Sequence, residues 1–235
     1  MNPDLKGVWE HIRHLGLGAL SHANYHAYTF SFENTRWPEL SIVQAAHAAE
    51  LLIKARIAQE HPLLIFEQFP RSGGGSSLLN LEDLFRSGRT IQWSDLPERL
   101  WAVTGLTLPA KQRFEEFGKL RNGIQHFAPA QLNDYRQTTL NFVFEVIDPF
   151  INQCWELFAI DYDEEYEPYT YFVPALISQE IPFLVSPTCA TDYDNWDVDW
   201  DETSEQYKVV MKSRIQKARQ PEYSREPCGN PTKNP

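Results

Sequence analysis

The segment Trp37–Glu60, WPELSIVQAAHAAELLIKARIAQE, constrains the chain most, because its pattern fits only a helix with a buried face. Pro38 falls in the first turn, where a residue without an N–H is tolerated and its fixed φ suits the helix. Ile42, Ala46, Ala49, Ile53 and Ile57 then recur at three-and-four spacing. Pro62 restricts His61 to extended backbone and ends the run.

Other segments repeat the pattern less cleanly. Residues 4–30 read as one or two helical pieces, with Gly16 and Gly18 as breaks. RSGGGSS, 71–77, reads as a flexible loop, because Gly and Ser bury little and lose much backbone entropy. LNLEDLFRSG and SDLPERLWAVTG are short helices, the first stopped by Gly88. A further helix opens at Pro109 and closes at Pro129, with Phe114, Phe117, Leu120 and Ile124 on one side. The longest helix runs from about Leu132 to Phe158. Its stripe of Tyr135, Thr139, Phe142, Val146, Phe150 and Trp155 faces the core, and Pro149 kinks it. Beyond Ile160, TYFVPAL and IPFLVSP read as short strands, a hairpin around SQE. YKVVMKSRIQKAR reads as a short basic helix.

The expectation is a mainly α fold: a helical bundle over 1–160, then a small C-terminal extension over 161–220 containing short β-strands. Residues 221–235 read as a disordered tail.

Charge is unevenly distributed. The net charge is −11, yet residues 161–206 alone hold 13 Asp and Glu and no Lys or Arg. The acidity therefore belongs to one solvated segment, although it counts mildly against tight, sequence-independent polyanion binding. No apolar run is long enough to span a membrane. The beginning, MNPDLKGVWEHIRHLG, has charges where a signal peptide needs an apolar block. Cys154, Cys189 and Cys228 are odd in number, far apart and without a CxxC pair. Neither a disulfide framework nor a zinc site follows, and a reducing cytoplasm is the expected compartment.

The segment Phe114 to Phe127, FEEFGKLRNGIQHF, carries the functional argument. Cleaving RNA without a metal uses the ribose 2′-hydroxyl as an internal nucleophile. An imidazole such as that of His126 is suited to moving the protons. A planar, always-charged guanidinium such as that of Arg121 suits the phosphorane oxygens. Asn122 is placed to orient the imidazole or bind a phosphate oxygen. The phrase resembles the signature of the HEPN superfamily, in which a helix carries an Arg, a polar residue, and a His four to six residues after the Arg. Ala45 to Ile57 also resembles the first long helix of many HEPN domains, with Glu50 and Lys54 in its E-x-x-x-K pattern. The resemblance covers roughly residues 36–160.

The resemblance implies a HEPN-type bundle and a metal-independent endoribonuclease that needs no cofactor. Its products would carry 2′,3′-cyclic phosphate and 5′-hydroxyl ends. The site would be shared across a homodimer, in a toxin–antitoxin or antiviral-defence setting with an antitoxin or other regulatory protein. The alternative within the family is a non-catalytic RNA- or nucleotide-binding or dimerisation module. The plainer alternative is a chance pair, with Arg121 in an ion pair with Glu115 or Glu116 and His126 capping a helix end. Residues five apart on a helix point about 140° away from each other. Convergence therefore requires a bend near Gly123 or a second copy of the chain.

Further candidates are weaker. His47, Glu50 and Lys54 make a polar ridge: a solvated face, or support for the site from Glu50 and His47. His22 and His26, one turn apart, suit a metal only if a carboxylate joins them; none is indicated nearby, so they read as surface or core-edge histidines and no metal is expected. Arg56 and His61 repeat the spacing of Arg121 and His126, but an apolar Ile57 follows the Arg.

Overall fold

A computed structural model describes residues 5–69, 81–126 and 134–220. Helices α1 (Val8–Tyr28) and α2 (Trp37–Glu60) pack along their lengths. They are antiparallel: His26 stacks on Trp37 at one end, and Gly16 meets Leu51 and Leu52 further along. Gly16 therefore does not break α1. A Cβ there would sit 2.9 Å from Leu52 Cγ, so the missing side chain is what lets the two helices approach.

Helix α2 is central. The expected stripe of Ile42, Ala46, Ala49, Ile53 and Ile57 is buried, and a second line of Ala45, Ala48, Leu52 and Ala55 is buried as well. Small residues allow this second face to carry a close neighbour. Helices α4 (Leu96–Thr104), α5 (Lys111–His126) and α6 (Tyr135–Phe142) pack on α2 from its other sides. Within the buried interface of α2 and α6, the Ser41 and Thr139 hydroxyls share a hydrogen bond of 2.7 Å. Stacked rings fasten α5 to α6, with Phe117 and Phe142 centroids 3.7 Å apart.

The expected kink at Pro149 takes a specific form. Residues Val143–Ile147 widen into a π-turn in which the Asp148 N–H donates to Val143 O, before α7 (Asp148–Trp155) resumes. Proline lacks an N–H and its ring crowds the carbonyl four residues back, and the wider turn relieves both. Asp134 starts α6 later than expected, its carboxylate accepting from the N–H groups of Arg136 and Gln137.

The strands lie elsewhere than expected. Among the described residues the single sheet pairs β1 (Phe66–Gln68) with β2 (Arg89–Thr90), antiparallel, on either side of α3 (Leu81–Ser87). TYFVPAL belongs to α8 (Pro168–Ser178), with Phe172, Val173, Leu176 and Ile177 buried at helical spacing. IPFLVSP does alternate: Ile181, Phe183 and Val185 are buried. Its backbone, however, is paired by side chains. Leu184 N–H donates to Asp148, while Phe183 O accepts from Arg214 and Ile181 O from Tyr207. With those groups satisfied, no neighbouring strand is needed.

Residues after 160 share the core of the bundle, since one buried cluster runs from Leu17 to Ile215. Short α9 (Pro187–Thr191) and α10 (Glu205–Arg219) close this end. The acidic stretch is anchored by buried Trp196, and its Asp194 and Asp201 pair with Arg219 and Lys208 of α10. The expected loop at 71–77, the closing Pro129 and the expected tail from 221 lie outside the described residues. No described helix is long and apolar enough to cross a membrane.

Candidate active site

The site is assembled where the short sheet meets α5. Strand β2 leads into a turn at Trp93–Asp95, which lays the Trp93 indole flat on Phe114, with centroids 3.9 Å apart and planes 3° from parallel. Gly118, one turn beyond Phe114, permits this: a Cβ at that position would fall on the indole nitrogen. One turn further, the Arg121 guanidinium lies 5.3 Å from the Trp93 ring centroid. Trp93 is thus held between the Phe114 ring and the Arg121 charge.

Arg121 is half-buried. Its Nη1 donates to Gln125 Oε1 at 3.3 Å, and its Nε is buried without a hydrogen-bond partner. Among the described residues no carboxylate pairs with it. The ion pair to Glu115 or Glu116 does not form, and Glu116 instead accepts from Gln112. Arg121 lines a cavity of about 580 Å³ together with Glu50, Thr90, Trp93, Glu115, Lys119 and Asn122.

Glu50 enters through a pair with the buried Lys54. Lys54, 7% exposed, donates to Glu50 Oε1 at 2.6 Å and to Thr90 Oγ1 at 3.1 Å. The ridge expected on a solvated face is covered by β2 at Lys54. This neutralises Glu50 and leaves Arg121 and Lys119 at the cavity wall, with Glu115 as the remaining lining carboxylate.

Arg121, Asn122 and Glu50 are therefore brought together, and two other candidates are not. His126 is exposed at the last position of α5 and does not line the cavity. Helix α5 passes through Gly123 without a break, so the 140° divergence of Arg121 and His126 is retained within one chain. His47 is exposed on α2 and also lies outside the lining. The similarly spaced Arg56 and His61 serve local structure. Arg56 pairs with Glu60 at 2.8 Å, and His61 Nδ1 accepts from Leu63 N–H.

Sequence reasoning missed Trp93, Gly118, Thr90 and Lys119. The one local signal was Gly118, a glycine on the same helical face as Phe114 and Arg121. No protein-family model, no curated protein and no solved structure matches the chain.

Two glycines of α5 should respond oppositely to alanine. Gly118→Ala must displace Trp93 and should cost about 1–3 kcal/mol. Gly123, with nothing within 4 Å of a Cβ, should gain roughly 0.5–1 kcal/mol from the same change. Thermal melts of both variants check the pair, and equal shifts would refute the packing assigned to Trp93.

Proposed function

We propose that the chain is a HEPN-type, metal-independent endoribonuclease, acting as a homodimeric toxin or antiviral-defence effector. The observation that carries this reading is Arg121: a half-buried guanidinium with an unsatisfied Nε, no carboxylate partner among the described residues, and a cavity in front of it. A guanidinium to which no carboxylate is bonded in such a place suits a phosphate. Asn122 and Lys119 add donors on the same wall.

In this reaction the ribose 2′-oxygen attacks the adjacent phosphorus, and the bond to the 5′-oxygen breaks. Arg121 stabilises the charge on the phosphorane oxygens. His126 moves the protons, taking one from the 2′-hydroxyl and returning one to the leaving 5′-oxygen. DNA lacks the nucleophile, so the activity is confined to RNA. Because His126 does not line the cavity of its own chain, the reading requires His126 from a second copy.

The position of His126 also favours a second reading, a non-catalytic module that binds RNA or a nucleotide through Arg121. The test is incubation of the purified chain with total cellular RNA in EDTA, followed by end-group analysis. Fragments ending in 2′,3′-cyclic phosphate and 5′-hydroxyl support the nuclease. Binding of RNA without cleavage supports the module.

A further inference from the structure

A second group of side chains shares no residue with the Arg121 cavity. His22 and His26 lie one turn apart on α1, and Glu164, in the segment between α7 and α8, reaches both. One potential ligand atom from each falls within 4.8 Å of the others. The His22 Nδ1 to Glu164 Oε1 distance is 2.8 Å. The His26 ring is fixed against Trp37, with centroids 4.8 Å apart, and its Nδ1 is buried with no hydrogen-bond partner.

Two imidazoles and a carboxylate form a donor set used for catalytic zinc, with a fourth position left to water. Small rotations bring the three atoms to roughly 3.3 Å apart, the edge of a tetrahedron with bonds near 2.0–2.1 Å. His22 and Glu164 retain 50% and 35% side-chain exposure, so a cation can enter and keep a water. His26 is the preset member, and the two exposed groups close on it.

We infer that His22, His26 and Glu164 bind a divalent first-row cation of the zinc type, one per chain. The ion ties the segment around Glu164 to α1, and so stabilises the packing between the helical hairpin and the region after α7. This is separate from the proposed cleavage of RNA, whose residues it does not include.

The test titrates Zn²⁺ into the tag-free, EDTA-treated chain by calorimetry, with Co²⁺ absorption reporting the ligand geometry. One ion per chain is expected. Tm should rise by roughly 5–10 °C at a free-metal concentration about 100 times Kd. His22→Ala and Glu164→Gln should each weaken binding at least about 10-fold, the lower bound set by loss of mere outer-shell partners. Both residues are solvent-accessible, and circular dichroism is the check that the variants fold. His11→Asn, on the same helix but outside the cluster, should leave binding unchanged. No Zn²⁺ binding by the wild type overturns the inference, and so does binding that survives both ligand substitutions.

Discussion

Co-expressing the Arg121→Ala and His126→Ala chains should restore RNA cleavage that neither variant supports alone, at about a quarter of the wild-type rate. Each single variant should fall at least about 100-fold, because in the proposed mechanism one removes the phosphate-stabilising charge and the other the proton carrier. Helix α5 is unbroken from Lys111 to His126, so one chain cannot aim both side chains into one cavity without unwinding its last turn. A site built from Arg121 of one protomer and His126 of its partner removes that difficulty. In a mixed dimer one site then holds both functional residues and the other holds neither. Random pairing makes half the dimers mixed, with one working site of two, which gives the quarter. Inactive single variants with no recovery on mixing would place both residues in one protomer. Full activity in either single variant would remove that residue from the mechanism.

Replacing Asp148 should give the largest loss of stability. Its carboxylate is fully buried and joins three segments: Oδ1 accepts from Ala159 N–H at 2.8 Å and Oδ2 from Leu184 N–H at 2.8 Å. It thereby holds the start of α7, the turn at Ala159–Asp161 and the extended run after α8 together. Asp148→Ala leaves the buried Ala159 N–H and the half-buried Leu184 N–H without partners and adds a cavity, about 3–5 kcal/mol in all. A thermal melt should register a fall of roughly 10 °C or more for a chain of this size. A shift within a few degrees of wild type would mean that water replaces the carboxylate.

The same residue sets a pH dependence of known sign. Burial pushes the Asp148 carboxyl up to about 7, against the two N–H donors and the Arg214 charge, which hold it down. In the unfolded chain an aspartate titrates near 3.9, so between about pH 4 and pH 7 the folded state binds the extra proton. This contribution is fully present below about pH 4 and lost as pH rises through about 7. Asp148→Asn cannot ionise and turns an amide N–H toward one of the two donors. It should be less stable than wild type throughout, with a deficit that narrows as pH rises across that window. Denaturant melts at several pH values check this, and a deficit that widens with pH would contradict the burial assigned to the carboxyl.

Local rules carried much of the fold. The limits of α2 follow from Pro38, Pro62 and the apolar spacing between them, and the phrase around Arg121 lies on a helix as its pattern demands. The π-turn before Pro149 is a local consequence of one ring. Where expectations failed, a distant partner made the difference. Gly16 reads as a breaker until Leu52 lies against it. Ile181 to Val185 has the burial alternation of a strand, yet Asp148, Tyr207 and Arg214 take its backbone hydrogen bonds.

For the candidate sites the division is sharper. The residue types at Arg121, Asn122 and His126, and the one-turn spacing of His22 and His26, are legible in the sequence because covalent order and helical period set them. That Trp93 supports Arg121, that Lys54 neutralises Glu50 under Thr90, and that Glu164 completes the histidine pair depend on segments far apart in the chain. Sequence by itself determined most of the helices before residue 160 and the residue types they carry, since both follow from interactions within a few residues. Only the tertiary structure decided which of those groups share a space, because burial and long-range packing select partners that no local pattern encodes.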